Sequence, residues 1–257
     1  MKTEKLVLNE PSWLQSRTIL LGRVGSHAYG TATENSDLDF KGVCVPPLEY
    51  FLGLQSFDGY DKTGGKNFKN KEEDIDVTVI HINKFVRDAM AGVPNNLELL
   101  FLDESDYLYV NEFGRELISM RSHFLSKQIM KKFGGYAKSQ VQKMQQFKSN
   151  GAARSELVEQ YGYDTKFYMH TVRLLKMAIE ILTTRRLTVK RQEAEFLIAL
   201  RNGYHSLGDA LEHIEVLEEG LREAYEESLL PEQPNYDLIN RWLVEFNMRV
   251  AKENMND

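Results

Sequence analysis

Gly25-Ser26-His27-Ala28-Tyr29-Gly30-Thr31-Ala32-Thr33-Glu34-Asn35-Ser36-Asp37-Leu38-Asp39 is the stretch on which the reading of the whole chain turns. Ahead of it, Thr18 to Val24 is a short apolar run that stops at Gly25, which predicts a buried strand. Gly25 and Ser26 then open a short helical turn. Its backbone N–H groups, with a hydroxyl beside them, are suited to cradle a phosphate. Asp37 and Asp39 begin the next strand, where alternate side chains share a face, so the two carboxylates project together while Leu38 and Phe40 point to the core. Two carboxylates side by side repel each other, and a divalent cation between them relieves that. Magnesium, with manganese as the alternative, favours a few carboxylates plus substrate phosphate and water. A phosphate cradle beside such a pair is the equipment of metal-assisted phosphoryl or nucleotidyl transfer. The plainer reading, a glycine turn with two solvated aspartates, would prevail for an isolated Asp-x-Asp; the Gly-Ser upstream tips the balance.

The pattern Gly-Ser, ten residues, Asp-x-Asp resembles the signature of DNA polymerase beta-type nucleotidyltransferases. Gly25 to Thr31, Ser36 to Asp39 and Gly42-Val43 resemble one branch more closely, the RNA repair pathway DNA polymerase beta family. The resemblance implies that Gly25 and Ser26 hold a nucleoside triphosphate and that the aspartates bind magnesium. It also implies a third carboxylate on a neighbouring strand. Asp76, just inside the β-branched run Ile75 to Ile82, is the choice, with Asp74 as rival and Glu72 and Glu73 set aside as loop residues. The likeness continues through Lys84-Phe85, Pro94-Asn95 and Leu97 to Phe101; Glu98 within it reads as a structural partner.

Farther along, a helix over 164–184 puts Lys166, His170, Arg173, Met177 and Glu180 on one face, at spacings of four, three, four and three. Two cations and a histidine in line suit a polyphosphate, although a salt-bridged, packed helix has the same spacing. Gly162 to Lys166, His170, Arg173 to Leu175 and Glu180 resemble the corresponding helix of the same family, which implies nucleotide binding by Lys166, His170 and Arg173. Arg201-Asn202-Gly203 resembles its next motif, so the likeness covers about residues 17 to 205.

The expected fold is α/β (α+β). A small mixed sheet of nucleotidyltransferase type occupies residues 1–115, and a mainly helical part over 116–257 completes the substrate cleft. Strands are predicted at 18–24, 38–45 and 75–82, with residues 58–74 as a polar loop or hairpin tip. Asn83 is expected to cap a helix ending near Gly92, Asn111 to cap another, and Ser206 with Asp209 to form a capping box. Long helices are predicted over 126–148, 164–184, 192–202, 206–229 and 235–253, with Gly134-Gly135 a break in the first.

The 257 residues carry a net charge of −6, yet no Asp or Glu lies between Glu116 and Glu156. That window holds Lys131, Lys132, Lys138 and Lys143, expected to track a nucleic-acid backbone; the alternative is a solvated face paired with the acidic run Asp209 to Glu227. The single cysteine, Cys44, excludes a disulfide framework or a cysteine-rich metal site and points to a reducing cytoplasmic setting. No run is apolar enough to span a membrane. The expectation is a magnesium-dependent nucleotidyltransferase with RNA favoured as acceptor. Adenylylation of a protein or small molecule is the alternative, followed by a non-catalytic nucleotide- or RNA-binding module.

Overall fold

A computed structural model of the chain describes residue 8 and residues 11–34, 36–62, 75–145 and 155–254. After a short helix α1 (Leu14–Arg17), strand β1 (Thr18–Val24) leads into α2 (Gly25–Tyr29) and β2 (Leu38–Cys44). β3 (Gly59–Lys62) and β4 (Ile75–His81) follow, then α3 (Ile82–Met90), α4 (Pro94–Leu100), β5 (Tyr107–Val110) and α5 (Glu112–Ser119). The remainder is helical: α6 (Ile129–Gln145), α7 (Ser155–Tyr161), α8 (Thr165–Thr184), α9 (Ala194–Arg201), α10 (Leu207–Glu227) and α11 (Tyr236–Asn254).

The five strands form one mixed sheet in the order β3-β4-β2-β1-β5. β2 and β4 are parallel, with Asp39 opposite Asp76 and Lys41 opposite Thr78. β1 runs antiparallel to both β2 and β5. The buried strands are those the apolar runs predict. β3, the edge strand Gly59-Tyr60-Asp61-Lys62, carries no apolar pattern and so escapes that reading, while β5 at the other edge, Tyr107-Leu108-Tyr109-Val110, is an apolar run of only four residues that lies outside the strands expected. The expected polar loop over 58–74 accordingly holds a strand at its start; its remainder lies outside the described residues.

Local chemistry places most helix ends. Asn111 accepts a hydrogen bond from the Gly114 N–H, and Ser206 with Asp209 forms the capping box. Gly92 ends the α3 turn at φ 77°. The cap of α3, however, is His81 rather than Asn83: its Nδ1 accepts from the Asn83 N–H at 3.0 Å. Gly134 and Gly135 do not break α6, which runs through both. Glycine weakens a helix without forbidding it, and the neighbouring Phe133 and Ala137 are fully buried anchors.

One hydrophobic cluster joins the sheet to the helices, from Leu20 and Val43 through Phe85 and Leu99 to Leu175 and Phe246. A second, smaller one on the other side of the sheet gathers Leu14, Cys44, Val77 and Val79, with Phe40 packed on it. Leu38, expected to face a core, is exposed at the strand start.

Within the main cluster lies a charged joint. Arg173 of α8 donates through Nη1 to Glu98 Oε1 at 2.8 Å, and Tyr29 donates to Glu98 Oε2 at 2.6 Å. The guanidinium carbon lies 3.7 Å from the centre of the Tyr29 ring. Arg173 and Glu98 side chains are only 6% and 2% exposed. Removing one partner of such a pair leaves a buried charge uncompensated, which costs about 3–5 kcal/mol. Arg173→Met should therefore lower the melting temperature by roughly 10 °C. Glu98→Gln added to it should recover part of the loss. A scan showing Arg173→Met within a degree or two of the parent would remove this joint from the account of stability.

Candidate active site

β1 delivers the chain to Gly25 at φ 69°, a left-handed conformation that glycine alone adopts without strain. A Cβ at this position would run into Asp39 Oδ2, so the turn lies directly against the aspartate strand. α2 then closes on Gly30 at φ 76°, with the Gly30 and Thr31 N–H groups returning to the His27 and Ser26 carbonyls. Ala28 and Tyr29 are buried and hold this short helix to the core. The Ser36 hydroxyl accepts from the Thr33 N–H at 2.8 Å and so shapes the approach to β2.

Asp37 immediately precedes β2 rather than beginning it, Asp39 is the second residue of the strand, and the parallel register sets Asp76 beside Asp39. Burial, then the charges of Asp76 and Asp37, push the Asp39 carboxyl up to about 6, while Lys166 and His27 act against the rise. Asp37, Asp39, Asp76, Lys166 and the Gly25-Ser26 turn therefore meet at one place. Asp74 lies outside the described residues. Among the described residues no three acidic, histidine or cysteine side chains form a closed metal cage. The donor set is still that of a hard cation: carboxylate oxygens that repel one another, beside a turn suited to phosphate, with open positions left for substrate and water.

A cavity of about 260 Å³ extends from this point along the sheet, lined by Gly25, Asp39, Asp76, Lys41, Thr78 and Glu98, among others. Lys41 and Thr78 lie two residues beyond Asp39 and Asp76 on the same strand faces, and burial lowers the Lys41 ammonium to about 8. The alternation that unites Asp37 and Asp39 also reaches Lys41, so its place on this face is a signal the sequence carries.

The helix face on α8 divides. Lys166 acts on Asp39 across the cleft. His170 is half-buried one turn on. Arg173 departs from the expectation of a phosphate ligand: it is buried, and its guanidinium is turned to Glu98 and Tyr29. It supports α2 and α4 from behind. Glu180 is likewise engaged, accepting from Arg191 at 2.6 Å, and the Arg191 N–H donates to the Tyr29 carbonyl at 3.0 Å. Lys131, Lys132, Lys138 and Lys143 are exposed along α6, and none makes an ion pair with a described residue. Lys143 lies 5.7 Å from the Phe167 ring, which brings the end of α6 beside the start of α8.

The sign of the Asp39 shift fixes a pH test. A carboxyl with its folded pKa near 6, above an unfolded value of 3.8, binds protons more tightly in the native state. Its favourable contribution is fully present below about pH 4 and is lost as pH rises through about 6. In metal-free buffer at pH 8, Asp39→Asn should raise stability by about 1–2 kcal/mol, less than the full shift because the group is partly solvated. At pH 4 the advantage should vanish. A melting-temperature difference that is the same at both pH values would show that Asp39 carries no such strain.

The cavity beside the Gly25 turn and the clustered carboxylates belongs to a chain that has recognisable relatives. The chain is 31% identical over 133 residues to an uncharacterised 38.9 kDa protein of Enterobacteria phage T4, an alignment over 49% of this chain and 38% of that protein. The chain thus spans well under half the length of the curated relative it matches. A nucleotidyltransferase-like protein from Exiguobacterium sibiricum aligns over 82% of this chain and 68% of its own, at 8% identity and a TM-score of 0.28, too low to inform the site. Residues 4–245 match the RNA repair pathway DNA polymerase beta family, and the chain belongs to that family.

Proposed function

We propose that the protein is a magnesium-dependent nucleotidyltransferase acting on a nucleoside triphosphate, with residues 1–115 carrying the reacting groups and 116–257 completing the cleft. The observation that carries this is the contact of the Gly25 turn with Asp39, itself beside Asp76. It sets a phosphate cradle directly against the carboxylates. Asp37, Asp39 and Asp76 would hold magnesium, or manganese, which supplies Lewis-acid stabilisation of charge on phosphate oxygens and acidifies a bound hydroxyl. The Gly25 and Ser26 backbone would bind the β and γ phosphates, and Lys166, with His170 behind it, would add positive charge. An acceptor oxygen forms a bond to the α-phosphorus. The bond from that phosphorus to its bridging oxygen breaks, pyrophosphate leaves, and the acceptor's proton passes to solvent.

RNA is the acceptor we favour, in keeping with the exposed lysines of α6. A cytoplasmic setting accords with the single buried cysteine, whose thiol burial pushes up to about 12. Among the described residues no helix is long and apolar enough to cross a membrane.

Two measurements test the reading. Gly25→Val combines a strained φ with a collision at Asp39, so calorimetry should show triphosphate affinity lost by more than tenfold; an unchanged affinity removes the cradle. For the acceptor, Lys131→Glu with Lys132→Glu should weaken RNA binding at low salt. It should also flatten the log–log salt dependence, by roughly 0.7 per lost phosphate contact. RNA binding with the parent's affinity and slope would leave α6 a solvated face and shift the acceptor to a protein or small molecule.

A further inference from the structure

The inner end of the catalytic cavity has a charge that the chain leaves uncompensated. Lys41 lines it and makes no hydrogen bond or ion pair with a described residue. The charged groups acting on it are Glu98, Asp88 and Lys84. Each acid among them already has a partner. Glu98 is held by Arg173 at 2.8 Å and by the Tyr29 hydroxyl at 2.6 Å, and Asp88 is held by Lys84 at 2.7 Å. Those two pairs cancel, so Lys41 is the net charge of this end. At Asp39 the cations that count are Lys166 and His27, so Lys41 is not among the main counter-charges to the carboxylates. The cavity is therefore bipolar: acidic where Asp39 and Asp76 open it, and positive two residues farther in.

A half-buried ammonium without a partner is costly unless a ligand supplies one. Thr78 opposite Lys41 and Asn95 at the start of α4 add hydrogen-bonding side chains to the lining of the same cavity. Two residues of parallel strand span roughly 6.6 Å. A ligand seated here has one oxygen at the carboxylates and an anionic group about that far away. The volume of about 260 Å³ is slightly under the range of about 300–1,000 Å³ for drug-sized ligands, so it accommodates a single sugar-phosphate unit rather than a folded partner.

We propose that Lys41, Thr78 and Asn95 form an anion subsite that takes the phosphate carried by the acceptor, placing the acceptor's hydroxyl at Asp39 and Asp76. The acceptor is then a phosphorylated alcohol: the 3′-terminal nucleotide of an RNA with its own phosphate, or a small sugar phosphate. This inference rests on the nucleotidyl-transfer reading above for the word acceptor, while the anion subsite stands on the charge layout alone.

The probe is inorganic phosphate, titrated calorimetrically into the full chain saturated with magnesium and a non-hydrolysable ATP analogue. Lys41→Met should weaken phosphate binding at least tenfold, and Lys41→Arg should retain it within about threefold. The analogue's own affinity should change less than threefold in both. Asn95→Asp, at an exposed position where folding is not at stake, adds a negative charge beside the subsite and should also weaken phosphate. Phosphate bound equally well by Lys41→Met and Asn95→Asp overturns the subsite. Parallel loss of analogue and phosphate in Lys41→Met overturns it too, by assigning Lys41 to the triphosphate. If the parent protein binds no analogue but phosphate binding still follows Lys41, the nucleotidyl-transfer reading falls and the anion subsite stands. Displacement of phosphate by a ribodinucleotide with a free 3′-hydroxyl identifies an RNA end, and displacement by ribose 5-phosphate alone identifies a small acceptor. Displacement by neither overturns the assignment to the acceptor.

Discussion

The ion pair between Arg173 and Glu98, closed by the Tyr29 hydroxyl, is the constraint around which the rest is arranged. It ties three separate stretches together: α2, which carries the glycine turn; α4, which walls the cavity; and α8, which brings Lys166 to the cleft. Glu98 and Tyr29 come from the sheet-bearing part and Arg173 from the helical part, so a single carboxylate adds a directional tie to the hydrophobic cluster that joins the two. Burial raises the Tyr29 hydroxyl far above its ordinary range, and the pairing with Glu98 and Tyr29 holds the Arg173 guanidinium charged. The Arg173 Nε, buried without a partner among the described residues, shows that the joint is imperfectly satisfied. A hydrophobic replacement of the whole set would be as stable or more so on general grounds, but would not fix orientation in the same way. Its worth here is geometric: it points a five-residue helix so that Gly25 abuts Asp39.

That abutment explains why the carboxylates stay together despite repelling one another. The parallel register of β2 and β4 is set by Val77, Val79 and Ile80 against Val43 and Cys44, all buried. Sliding β4 by one residue would turn those side chains to the wrong face. The hydrophobic register therefore forces Asp76 beside Asp39, and the cost of packing the core correctly is an Asp39 whose carboxyl holds its proton up to about pH 6. On the proposed reading a divalent cation would relieve that cost, so that cation affinity would follow from how the sheet is packed.

Much of this was legible in the sequence because it is local. Short apolar and β-branched runs gave β1, β2 and β4, the alternation along a strand gave the shared Asp37–Asp39 face, the glycine after the first run gave the Gly25 turn, and the cap residues Asn111 and Ser206 gave two helix starts. Edge strand β3 was not legible, since a mostly polar, exposed strand carries no apolar signature, and β5 is an apolar run of only four residues, too short for its type to be told from periodicity. The misreading of Arg173 has the same origin in another form. Helical spacing places it on a line with Lys166 but cannot tell which part of that line faces the cleft and which the core. Only the packing of α8 against α4 and Tyr29 decides it, and that contact spans 75 residues of sequence to Glu98 and 144 to Tyr29. Lys41 was legible in principle, as the next residue on the Asp37–Asp39 face; what the strand could not show was that the acids acting on it, Glu98 and Asp88, already have partners.

The charge layout carries the argument one step past the reacting groups. Acid is concentrated where Asp37, Asp39 and Asp76 meet, a lone ammonium lies inward of them, and four exposed lysines run along α6, whose end reaches Phe167 beside Lys166. An overall charge of −6 repels polyanions at long range. Close contact is different, because screening confines that repulsion to about 8–10 Å at physiological salt. A polyanion that reaches α6 meets lysines first and carboxylates only at the cleft. There the repulsion is useful: without a cation the carboxylates reject phosphate, and with one they attract it. On the reading proposed above, the same surface would hold a nucleic-acid backbone on α6 and admit its reactive end to the cleft only with the divalent ion in place. On that reading the order of binding would be cation before phosphate, set by the sign of the charges with no moving part.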